Sequence, residues 1–223
     1  MVWTIESLML NQVVLSLVMP DGHMGFPGEL RVQAGISLSD ENALQFTISA
    51  TTTKETPCCF AHHGYFNLDG GQDITTHKLQ VFADSYLPVD DDLIPSGGPS
   101  ALQGSPFDFR KPDAIGCRGL DHNFCLASEH RDMTKAAKLS SEVSGLSMSI
   151  ETTEAGLQVY DGAYFPVEGL CGLDGLVYGP RAGLALETQT WPDAPNRPEF
   201  PKWLLRPGER YSQNTNYKFS RIT

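Results

Sequence analysis

The sequence predicts an all-β protein, most simply a large antiparallel β-sandwich. Three observations carry this expectation. Apolar and polar residues alternate with a period of two in several separate runs. Clusters of glycine, proline, aspartate and serine separate those runs. The 223 residues hold 21 glycines and 15 prolines, with 40% hydrophobic and only 19% charged side chains. That mix suits short strands joined by many turns rather than long helices. Sandwiches and barrels of this length commonly form a single unit, and residues 1–223 read as one domain.

Taken in order, the first stretch is MVWTIESLMLNQVVLSLVM. It is apolar, but it lacks a basic leader and is interrupted by Glu6, Asn11 and Gln12. It therefore reads neither as a signal peptide nor as a membrane span, and the cytoplasm is the expected address. Residues 13–19 within it are expected to form a strand covered on both sides. The run PDGHMGFPG (20–28) is a turn. After it Val32, Ala34, Ile36 and Leu38 alternate with polar or small residues, as do Leu44, Phe46 and Ile48. Each run turns one apolar face inward, as half-buried antiparallel strands do. LDGG (68–71) and PSGGPS (95–100) mark further turns. Residues 133–139 carry a weak helical pattern. Leu146, Met148 and Ile150 alternate with Ser147, Ser149 and Glu151, and EAGL (154–157) closes that run. No internal repeat, low-complexity tract or flexible linker interrupts the series.

Charge limits the partners. Sixteen basic against 27 acidic residues leave a formal net charge of -11, which repels phosphate backbones and argues against nucleic acid. A neutral or cationic ligand fits better. Five cysteines without regular spacing argue against a disulfide framework, and no CxxC pair suggests zinc. A reducing compartment is the matching expectation.

Side chains suited to proton transfer gather in three places. The first is TPCCFAHHGYFNLDG (56–70), where His62 and His63 are adjacent and Tyr65 follows. Neighbouring strand residues point to opposite faces, so one histidine at most faces a given cleft, and His63 shares its face with Tyr65. The second is GLDHNFCL (119–126), with Asp121 and His122 on opposite faces. The third is LALETQTWPDAPN (184–196). There Leu184, Leu186 and Thr188 face one way and Ala185, Glu187 and Gln189 the other. A carboxylate amid an apolar strand is costly without partners or a task. Each residue alone has an ordinary reading: a hydrogen-bonded histidine, a turn-fixing Asp121, a solvated Glu187, aromatics belonging to the core. A His, Asp and Glu set can also hold a metal, but no two lie at zinc-like spacing.

HHGYFNLDG resembles the N-H-x-Y-F-N-L-x-G motif of the aldose 1-epimerases, the galactose mutarotases. The likeness continues through ADSYLPVDDDLIPSG, GSPFDFR, GLDHNFCL, LQVYDG, LALETQTWPDAPNRPEFP and LLRPGERYSQNTNYKF, in the family's order, and DGHMGFPGELRV extends it upstream. It covers nearly the whole chain. The resemblance implies a galactose mutarotase-like supersandwich whose concave face holds a sugar. By position it implies His63 as general acid, Glu187 as general base and Asp121 as a ligand to sugar hydroxyls, with Gln189 and Tyr65 lining the cleft. His62, behind that face, stands where the family usually has asparagine.

The reaction implied is interconversion of the α and β anomers of a free hexose such as galactose or glucose. The C1 hydroxyl loses a proton while the ring oxygen gains one, the ring opens, C1–C2 rotates, and closure reverses the transfers. This asks for one base and one acid, and for no metal, nucleotide or other cofactor. Near neutrality a carboxylate and a partly protonated imidazole are both available. The family usually begins with further strands bearing an Asn-Arg pair and a Leu-His-Gly-Gly segment. Here no histidine precedes His23 and the first arginine is Arg31. The sequence thus reads as N-terminally truncated, either a fragment or a domain whose uncovered edge a partner or a second copy covers. An impaired sugar-binding or interaction domain of the same fold is the alternative reading. A sugar-phosphate epimerase is a third, but it wants a basic phosphate site.

Overall fold

The structure is a computed structural model that describes residues 1–166, 168–172 and 175–222. The first strands are β1 (Thr4–Leu8), β2 (Gln12–Met19), β3 (Leu30–Ser39), β4 (Ala43–Thr52), β5 (Thr56–Pro57) and β6 (Tyr65–Phe66). Next come β7 (Lys78–Val81), β8 (Ser85–Tyr86), β9 (Ser100–Ala101), β10 (Asp113–Ala114), β11 (Asp121–Cys125), β12 (Thr134–Ser141) and β13 (Leu146–Thr152). The chain ends through β14 (Gly156–Tyr160), β15 (Leu170–Cys171), β16 (Val177–Tyr178), β17 (Leu184–Gln189), β18 (Leu204–Leu205) and β19 (Tyr211–Arg221).

Among the described residues these strands build a nine-stranded sheet, ordered β1-β2-β3-β4-β19-β13-β12-β7-β10, and a six-stranded sheet, ordered β6-β17-β14-β11-β8-β9. The pairings are antiparallel. The expected all-β sandwich is what forms. Its inner faces meet where alternation demands. Leu79, Val81, Leu139, Met148, Ile150 and Tyr217 from the large sheet pack with Phe124, Leu157, Val159, Leu184 and Leu186 from the small one. Burying such side chains removes about 25 cal/mol per Å² of apolar surface from water and drives the two layers together.

Two local expectations fail. Residues 133–139 are not helical; Thr134–Ser141 is β12, paired with β13 on one side and β7 on the other. A register shift between Lys135 and Ala137 lets Ala136 and Ala137 both be buried. That bulge breaks the period of two and makes the segment imitate a helix. Nor is residues 13–19 covered on both sides. Every residue of β2 is only half-buried or exposed. At one end Leu17 and Met19 pack on a cluster with Cys58 of the β5 region and Leu205 of β18, not on the six-stranded sheet. The small sheet ends at β6, so β1–β3 form a wing whose Ile5 and Leu8 are 61% and 72% exposed.

Candidate active site

The outer face of the small sheet gathers the candidate proton-transfer side chains, and register decides which residues meet there. One row across the strands runs Tyr65 (β6), Ala185 (β17), Tyr160 (β14) and Asp121 (β11). The next runs Glu187, Gln158 and Asn123. Gln189 stands opposite Gly156 in the row after that. Directly opposed residues project to the same side, and successive ones alternate. The polar set therefore shares one face while Leu157, Val159, Leu184 and Leu186 enter the core.

His63 reaches this face from the segment before β6. Its Nε2 lies 3.3 Å from Glu187 Oε1, with the imidazole half exposed and the carboxylate only 10% exposed. The two adjacent histidines part company here. His62 turns inward, stacks on Phe46 with ring centroids 4.0 Å apart, and places Nδ1 3.4 Å from the Tyr217 hydroxyl. Burial, reinforced by the neighbouring His63, lowers the His62 pKa and keeps it neutral. Gly64 permits the fold-back, since a Cβ there would run into the His62 ring. Gly183 similarly lets β17 approach β6, because its Cβ would sit 2.9 Å from the Tyr65 Cβ.

Electrostatics tune Glu187. Burial raises its pKa, the nearby His63 draws it back, and the like charge of Asp121 raises it further. Gln158 Nε2 donates to Asp121 Oδ1 at 2.7 Å and fixes that carboxylate over the sheet. The Gln158 and Asn123 amide oxygens are buried without partners. Unpaired buried acceptors are costly, and these two lie in the row of Glu187. Aromatic rings form the wall: the Tyr65 ring is 5.1 Å from His63, 6.2 Å from Tyr160 and 5.0 Å from Phe165. Tyr65 has its hydroxyl pKa raised, by burial first and then by Tyr160, Glu187 and Asp121. Among the described residues no three His, Cys, Asp or Glu side chains converge as a metal site would require.

The residues singled out in the sequence, His63, Tyr65, Asp121, Glu187 and Gln189, thus fall on one face. Gln158, Asn123, Tyr160 and Phe165 were not singled out. The signal for two of them lay in LQVYDG, where Gln158 and Tyr160 alternate with core-bound Leu157 and Val159. Asn123 sits two residues after Asp121 and so shares its face. Phe165 follows β14 in an irregular segment and offered no periodic signal.

The chain and its fold have known counterparts. The family model described as aldose 1-epimerase matches residues 1–218. The chain belongs to the aldose 1-epimerase family. It is 42% identical over 228 residues to the galactose mutarotase of Rattus norvegicus, covering 98% of this chain and 65% of that protein. It is 38% identical to the aldose 1-epimerase of Escherichia coli K12, covering 97% of this chain and 66% of that one. The chain spans just under two thirds of the length of these curated relatives. Among solved structures, the GalM/aldose epimerase homologue from C. elegans superposes with a TM-score of 0.92 at 27% identity, over 99% of this chain and 69% of that one. The galactose 1-epimerase from Lactobacillus acidophilus gives 0.83 at 30% identity, over 100% and 68%. The large antiparallel sandwich is the fold these epimerases share. No helix among the described residues is long and apolar enough to cross a membrane.

Proposed function

We propose that this aldose 1-epimerase family member interconverts the anomers of free hexoses such as galactose and glucose. The observation that carries this is the 3.3 Å approach of His63 Nε2 to Glu187 Oε1 on a face that also holds Asp121. Glu187, as carboxylate, takes the C1 hydroxyl proton; His63, as imidazolium, gives one to the ring oxygen. The ring opens to the aldehyde, C1–C2 rotates, and the pair returns the protons on closure. Burial makes Glu187 a stronger base than an exposed glutamate. Asp121 accepts from sugar hydroxyls and Gln189 reaches them from the next row. Tyr65, Tyr160 and Phe165 offer the flat apolar contact that the sugar's C–H face wants. Galactose enters this reading through the galactose mutarotase and galactose 1-epimerase that the chain resembles, and glucose through its matching set of hydroxyls. Residues 1–223 act in it as one domain.

Polarimetry on freshly dissolved α-D-galactose and α-D-glucose tests the reading. The expected result is acceleration above buffer that is lost in Glu187→Gln and in His63→Ala. Sugar binding without acceleration would overturn the catalytic part and leave a sugar-binding domain.

A further inference from the structure

A second cavity opens at the end of the sandwich, away from the acid–base pair. It holds about 220 Å³, the share of about seven water molecules. Its polar lining includes Glu154, Thr190, Tyr211 and His130 together with Lys202, Glu209 and Arg210, and its apolar lining includes Trp203 and Leu205. Glu154 lies four residues before Gln158, the strand partner of Glu187, beyond the end of the β14–β17 ladder.

Two groups in this hollow lack what burial requires. The Glu154 residue is only 3% exposed, and its nearest imidazole and nearest hydroxyl both stand at long range. His130 Nε2 is 3.9 Å from Glu154 Oε1 and is bonded instead to the Ser212 carbonyl at 2.9 Å. The Tyr211 hydroxyl donates to Gln213 Oε1 at 3.0 Å and stands 3.5 Å from Glu154 Oε1. Both lining cations are engaged elsewhere: Lys202 is paired with Glu209 at 2.8 Å, and Arg210 donates to Ser49 Oγ at 2.9 Å. Burial pushes the Cys58 thiol up to about 12 and raises the Tyr211 phenol, so both stay neutral. The second group is the Thr190 hydroxyl, which is buried with no hydrogen-bond partner. A buried carboxylate held only by long contacts and a buried hydroxyl without a partner are both destabilising alone. A ligand bringing a positive charge and N–H donors satisfies both.

We propose that this cavity binds a small primary organic ammonium ion with an apolar body, its N–H groups donating to the Glu154 carboxylate and the Thr190 hydroxyl. The body packs against Trp203 and Leu205, and the indole face adds a cation–π contact. A free hexose fits less well, since the apolar walls leave most of its hydroxyls unmatched. Burial pushes the Glu154 carboxyl up to about 7, with the Tyr211 hydroxyl opposing the shift. A bound cation draws it back into its charged form.

The test uses cyclohexylammonium as probe and cyclohexanol as its neutral match, each titrated just above neutrality and followed by indole fluorescence and NMR. The expected result is saturable binding of the cation, at least about tenfold tighter than of the alcohol, lost about tenfold or more in Glu154→Gln. Removing a buried charge favours folding above neutrality, so this variant stays folded. In His63→Ala the cation binds as before. Equal binding of cation and alcohol, no saturable binding, or indifference to Glu154→Gln would each overturn the proposal. Loss of binding in His63→Ala would place the cation in the sugar cleft and overturn it as well. None of these outcomes depends on whether the chain epimerises sugars.

Discussion

Two buried glutamates sit near histidines in this protein, and they have opposite surroundings. Glu187 stands mid-strand in a polar row with Gln158 and Asn123, with His63 at 3.3 Å. Glu154 stands just outside a strand, in an apolar hollow, with His130 at 3.9 Å and engaged elsewhere. Burial raises the pKa of both. Glu187 has the closer imidazole and shares its face with further polar side chains. A shifted carboxylate by itself therefore says little about catalysis; the rows it shares with its neighbours say more.

That contrast can be broken most sharply at the pair itself. Glu187→Gln keeps the shape and removes the base, and His63→Ala removes the acid. Each is expected to lower kcat for anomer interconversion by about 10²–10⁴, the usual contribution of one positioned proton-transfer group. Polarimetry under sugar saturation reads it, and a variant retaining full kcat would dismiss that residue from the reaction.

The next effect belongs to Glu154 and concerns stability. Its folded-state pKa of about 7 lies above the unfolded value of about 4.3. The folded protein thus binds more protons between those values, and stability falls as pH rises through that window. Glu154→Gln removes the dependence. It should stabilise the protein above neutrality, by on the order of 4 kcal/mol at most, and hardly at all below about pH 4. Thermal melts of both proteins across that range measure it. A variant equally destabilised at every pH would show that the carboxylate's packing matters more than its charge.

Smaller effects separate positioning from chemistry. Gln158→Leu deletes the donor that holds Asp121, and a charge-assisted hydrogen bond of this kind contributes about 1.5–3 kcal/mol. Spread over a half-exposed carboxylate, the loss should appear as a several-fold rise in KM with a lesser change in kcat. Asp121→Asn removes the like charge that raises the Glu187 pKa. The acid limb of the pH–kcat profile should then move to lower pH, because Glu187 holds its proton less tightly. A limb that stays put would mean that another group controls it.

How much of this was legible in the residues follows from the range of each signal. Strand existence was, because alternation is local: β3, β4 and β13 fall on the runs in which every second residue is apolar. The opposite orientations of His62 and His63 were too, since adjacent extended residues must diverge. β12 was not, because its bulge at Ala136 and Ala137 disguises the period. The half-covered state of β2 was not, since its apolar run says nothing of where the opposite sheet stops. Phe165 joins the site only because its segment folds back beside Tyr65.

The amino-acid order alone determined the all-β class, the faces of its longer strands and, through ordered motifs, the family. It did so because side-chain alternation and turn chemistry act over a few residues. Only the tertiary structure decided which carboxylate meets which imidazole. Glu187 lies 124 positions from His63 in the numbering and Glu154 24 from His130, yet the more distant pair makes the closer contact. Inter-strand register, set by long-range pairing and packing between two sheets, fixes such distances, and no short window of sequence contains it.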